Sequence, residues 1–136
     1  MITTIPLMIV ALIAYNGLLF GIGPANLDWS AAVFSVSMIS GAVWTMTLGD
    51  VMIALGLFLL FFEILKATRF STLSIVDHLL STLVLIAFIV EFLLVSGAAT
   101  SVFFLLMLIT LVDVLAGFSV SIRTASRDVS LGGGSL

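Results

Sequence analysis

Residues 83–97 read LVLIAFIVEFLLVSG, and the fold turns on how this stretch is understood. Twelve of its fifteen residues are hydrophobic, a run suited to lipid, yet Glu91 stands among them. The same setting recurs in EILKATR (63–69) and LITLVDVLAG (108–117), which put Glu63 and Asp113 beside long apolar stretches. Composition supplies the context. Of 136 residues, 62% are hydrophobic and 8% are charged, and the mean hydropathy is +1.45. A soluble domain carries about 25% charged residues. This chain has too few charges to coat a water-facing surface, so a bilayer is its expected solvent.

Four apolar runs follow, at about residues 5–22, 49–68, 75–96 and 101–122. Each is close to the ~20 residues, or ~30 Å of helix, that cross a hydrocarbon core. For the first run, a cleaved signal peptide is the competing reading. The run lacks a basic leader and is long for a signal core, which favours a span. Pro6 sits in its first turn, where a helix tolerates proline. Short connections predict antiparallel neighbours. The expected fold is an all-α membrane protein, a four-transmembrane-helix antiparallel bundle forming one domain over residues 1–136. Lys66 and Arg69 follow run two and Arg123 and Arg127 follow run four, with no basic residue elsewhere. The bias of basic residues to the cytoplasmic side places both termini there, in a bacterial inner membrane, with residues 123–136 as an inner tail.

The only sizeable connection lies between runs one and two. Phe34, Val36 and Met38 alternate with polar or smaller residues, as do Trp44, Met46 and Leu48. This period of two predicts a β-hairpin over about 33–48 in the outer loop, against an interfacial helix or irregular loop. Pairing Met38 with Trp44, Val36 with Met46 and Phe34 with Leu48 puts all six on one contact face. Ser40, Gly41 and Ala42 then form the turn.

Helical spacing sorts the polar residues. Ser74, Asp77, Ser81, Val84, Phe88 and Glu91 form one stripe, as do Thr110, Asp113, Gly117 and Ser121. Gly49, Gly56 and Glu63 repeat at seven, and Gly17 and Gly21 form a G-x-x-x-G pair. Small residues at such positions let helices approach, so Gly17, Gly21, Gly56 and Gly117 are candidate packing positions. Charges inside a span face protein or water, making Asn16, Glu63, Glu91 and Asp113 the intramembrane polar candidates. Asn16 and Glu91 fall at similar depth and can bond each other. Glu63 has Lys66 or Arg123 within reach, whereas Asp113 has no obvious basic partner. Asp77 suits a helix N-terminus.

These residues exclude more functions than they suggest. There is no cysteine, so thiolate metal sites and thiol catalysis are absent. No basic patch meets nucleic acid. His78 is the only histidine; it could ligate one pigment or haem or touch a quinone, but cannot supply a multi-haem set or a metal pair. No catalytic constellation, metal site or cofactor is expected, and no enzyme activity. In size and span number the chain resembles small multidrug-resistance transporters, but its first span lacks their essential glutamate. A hairpin after the first of four spans resembles the claudin group, without that group's cysteine pair. The favoured expectation is an accessory subunit stabilising a larger membrane complex, with lipid and a membrane-protein partner or a second copy as its contacts. The alternative is a small oligomeric proton- or cation-coupled transporter using the intramembrane acids.

Overall fold

The computed structural model describes residues 5–68 and 72–134. Arg69 and the side chains of Ser74, Ser121, Arg123 and Arg127 lie outside the described residues, as do residues 135–136 of the tail. The chain forms α1 (Met8–Asn16, continued as π-helix over Gly17–Gly21), β1 (Ala32–Ser37), β2 (Val43–Thr47), α2 (Leu48–Ala67), α3 (Thr72–Leu94) and α4 (Ser101–Gly134). Among the described residues, three helical segments are long and apolar enough to cross a membrane: Leu48–Ala67, Ile75–Leu94 and Ser101–Ser119. This fits an integral membrane protein.

The first run departs from expectation. The sequence predicts a span over 5–22, but α1 has nine α-helical residues followed by five of π-helix, roughly 20 Å in all. Asn16 Nδ2 takes the Leu12 carbonyl at 3.0 Å, competing with the backbone ladder where two glycines already weaken it. The widened turn closes with Ile22 N donating to the Gly17 carbonyl at 2.7 Å. The tail also differs, because α4 runs on as helix through residue 134.

Helix α4 is central. Of its apolar segment 44% is buried, against 28% for those of α2 and α3, so the latter two keep broad apolar faces such as Phe58, Phe61, Leu79 and Leu83 uncovered. The core joins Met8, Ala11 and Tyr15 of α1 to Met52, Val84, Phe88, Phe103, Leu106 and Ile109. Lipid tails are as apolar as leucine, so close fit rather than water exclusion holds such helices together. Gly56 and Gly117 provide that fit. A methyl group at Gly56 would sit 2.8 Å from a Leu106 Cδ, and one at Gly117 would sit 2.9 Å from the His78 ring. Gly17 and Gly21 do not: among the described residues, no neighbouring element comes within 4 Å of a methyl group placed at either. Their pair opens the helix instead of joining it to a neighbour.

The hairpin forms, in a different register. Val36 pairs with Trp44 and Phe34 with Met46, with an irregularity between Ala32 and Phe34. The expected pairing was shifted by two residues. Met38 N donates to the Ala42 carbonyl at 2.7 Å and Gly41 N to the Met38 carbonyl at 3.0 Å, so the loop is Ile39, Ser40 and Gly41. A three-residue loop needs a left-handed residue in its last place, and Gly41, at φ +91°, fills it. A shift of two preserves the faces, so Phe34, Val36, Trp44 and Met46 stay on one side. Leu48 leaves the strand as the first residue of α2. The change is abrupt because Thr47 and Asp50 cap the helix reciprocally, Asp50 N to Thr47 Oγ1 at 3.1 Å and Thr47 N to Asp50 Oδ2 at 3.0 Å.

Candidate functional site

Polar groups gather at the two ends of the bundle. At the end away from the hairpin, α2 contributes Glu63 and Lys66, one helical turn apart. Lys66 Nζ donates to Glu63 Oε1 at 3.0 Å and to Asp77 Oδ1, at the start of α3, at 3.3 Å. It also donates to the Ile5 carbonyl at 2.6 Å, while Leu7 N donates to Glu63 Oε1 at 2.5 Å. Leu7 precedes α1 and has no side-chain cap of its own. A helix start leaves backbone N–H groups without partners, and here a carboxylate from another helix accepts one. Glu63 and Lys66 therefore clip the first turn of α1 onto α2.

Asp113 of α4 is buried at this level, within electrostatic range of Glu63, Asp77 and Lys66. Glu63, Asp77, His78 and Asp113 are each at most 5% exposed, and Ser81 and Thr110 are buried beside them. Among the described residues, no donor reaches Asp113 Oδ2. His78 lies with its Nδ1 edge against Gly117 and its ring 5.1 Å from that of Phe118. Among the described residues, no three acidic or histidine side chains are arranged to hold a metal ion.

At the hairpin end the polar groups are neutral or single. Tyr15 Oη donates to the Gly97 carbonyl at 3.0 Å and shares a hydrogen bond with Thr100 Oγ1 at 2.7 Å. Its ring stacks on Trp29 at 4.5 Å and meets Phe103 edge-on. Nearby, Asn16 Nδ2 donates to Glu91 Oε1 at 2.9 Å, leaving Glu91 Oε2 buried without a partner among the described residues. Beyond them stands the hairpin. Phe34, Val36, Met38 and Trp44 are each 42–45% exposed, and Met46 and Leu48 are half-buried.

The structure thus buries Glu63 and Asp113 at the same end of the bundle and joins Asn16 to Glu91 at a separate level. Sequence reasoning missed the Tyr15 anchor, though a single tyrosine in an apolar run is a signal, since its hydroxyl must find a partner. It also assigned Asp77 to a helix end alone and overlooked the spacing of Thr47 and Asp50. No family model matches the sequence, and neither a curated protein nor a solved structure does.

Proposed function

We propose that this protein is a small four-span accessory subunit that packs against and stabilises a larger membrane complex. The observation that carries this reading is the hairpin: a two-stranded element on which Phe34, Val36 and Trp44 remain 43–45% exposed. An isolated hairpin is marginal in water, so a surface of Phe34, Val36, Trp44 and Met46 is better explained by a partner than by solvent. The shorter α1 crosses as the fourth span with help from flanking Ile5–Leu7 and Ile22, since a bilayer thins locally around a short helix. The four basic residues put both termini on the cytoplasmic side of a bacterial inner membrane. No catalytic role is assigned.

The test is native mass spectrometry of the untagged protein gently extracted from its own membrane. A larger partner at fixed stoichiometry is expected, lost in the Phe34→Ser/Trp44→Ser double variant while the bundle's Tm is unchanged. A partner-free homo-oligomer, unaffected by those substitutions, would overturn it. That outcome favours the second reading, a proton- or cation-coupled transporter, which the buried acids at Glu91, Glu63 and Asp113 support. Flux through vesicles carrying Glu91→Gln and Asp113→Asn variants then decides it.

A further inference from the structure

Helices α1 and α3 are linked at two levels and part between them. At the hairpin end Asn16 Nδ2 donates to Glu91 Oε1 at 2.9 Å. At the other end Lys66 Nζ ties the two sides together, donating to the Ile5 carbonyl at 2.6 Å and to Asp77 Oδ1 at 3.3 Å. Between these polar bars lies a cleft of about 430 Å³. Ile5, Ile9 and Leu12 line one wall, and Leu80, Leu83 and Ala87 the other. Every described lining residue is apolar. Val84 is 6% exposed and Leu83 59%, so the cleft has a buried floor and an open side. That side faces the bilayer.

We propose that this cleft is a binding site for one phospholipid acyl chain, drawn from the leaflet at the Lys66 end. Water is unsuited to it, since an apolar cavity offers no hydrogen bonds and stays dry. A void is unsuited too, because its lining forfeits the contact atoms on one side. The size is ample: an apolar protein cavity of about 150 Å³ already holds benzene. A partner's transmembrane helix fits poorly, because such helices approach one another over small residues. Ala87 is the one alanine or glycine among the described lining residues, unlike the contacts at Gly56 and Gly117 inside the bundle. A flexible chain conforms to branched side chains without that close approach.

Depth selects the leaflet. The wall from Ile5 to Leu12 rises roughly 10 Å, within the ~15 Å that one leaflet contributes to a hydrocarbon core. The cleft touches a chain from two sides, whereas the exposed faces at Phe58 and Phe61 of α2 touch it from one. Bound there, the chain supplies α1 with the contacts that α3 withholds between the two bars. The site requires neither a partner complex nor transport.

Photocrosslinking of the full chain tests the site, in phosphatidylcholine vesicles with a small fraction of phosphatidylcholine carrying a diazirine midway along one acyl chain. Labelled positions are read by mass spectrometry of the peptides. Phe61 is the reference for Leu83, being 57% exposed and at matching depth, five residues from Lys66 as Leu83 is six from Asp77. Leu83 and its cleft neighbours are expected to be labelled several-fold above Phe61. Ala87→Trp, at an exposed position, should fill the cleft and lower its labelling to the Phe61 level, with Phe61 unchanged. Equal labelling of Leu83 and Phe61 in the wild-type protein overturns the site and leaves lipid as solvent only. A cleft without label beside a labelled Phe61 overturns it as well, and assigns the cleft to a second copy. Both outcomes are read on the wild-type chain, so they stand even where Ala87→Trp fails to fold.

Discussion

The two ends of the bundle solve the same problem with different chemistry. At the Lys66 end, polar groups are charged, crowded and buried: one ammonium bridges Glu63, Asp77 and the Ile5 carbonyl. At the hairpin end, α1 is anchored by the neutral Tyr15 hydroxyl and an aromatic stack on Trp29. A charged clip is strong but depends on every partner, because losing one leaves another charge buried. A hydroxyl anchor loses only its own bonds and keeps its ring contacts.

The comparison predicts unequal costs. Lys66→Met should destabilise the protein by about 3–5 kcal/mol, the usual result of stranding a buried partner charge, seen as a lowered Tm in detergent. Adding Glu63→Gln and Asp77→Asn should recover much of it. Tyr15→Phe should cost about 1 kcal/mol, the usual worth of a hydrogen bond, here to the half-buried Gly97 carbonyl. If the two substitutions prove equally costly, charge is not what separates the ends. The smallest effect lies outside the spans. Ser30 Oγ and N donate to Asp28 Oδ1 at 2.6 and 2.9 Å, and the hydroxyl first, then the N–H, hold the Asp28 carboxyl below the usual carboxylate range. A depressed carboxyl contributes stability above its unfolded-state range, and that contribution is lost as pH falls through the folded value. Ser30→Ala should return Asp28 toward its ordinary value in an NMR titration; an unmoved titration would show that the turn does not act on it.

Legibility from sequence followed the range of each interaction. The stripe of Asp77, Ser81, Val84 and Phe88 is buried in α3, and Thr110, Asp113 and Gly117 in α4, because helical period alone decides which residues share a face. Strand alternation likewise marked the hairpin and its faces. Alternation does not fix register: the expected turn centres on Gly41, whereas its positive φ belongs at the end of a three-residue loop. The clip on α1 had no sequence signal, since its ends are the backbone of Ile5 and Leu7, groups that every residue but proline carries.

By itself, the sequence determined the solvent, the apolar segments, the hairpin and the inward faces of α2, α3 and α4, because composition and period are local properties. Only the tertiary structure decided that α1 is short and π-wound. It alone showed that Gly117 rather than Gly21 receives a neighbour, and that Asp113 is buried at the same end as the Glu63–Lys66 clip. Those outcomes depend on how each helix is rotated and raised against the others by a few ångströms. Periodicity selects a face, but it does not choose which residue on the facing helix will stand opposite.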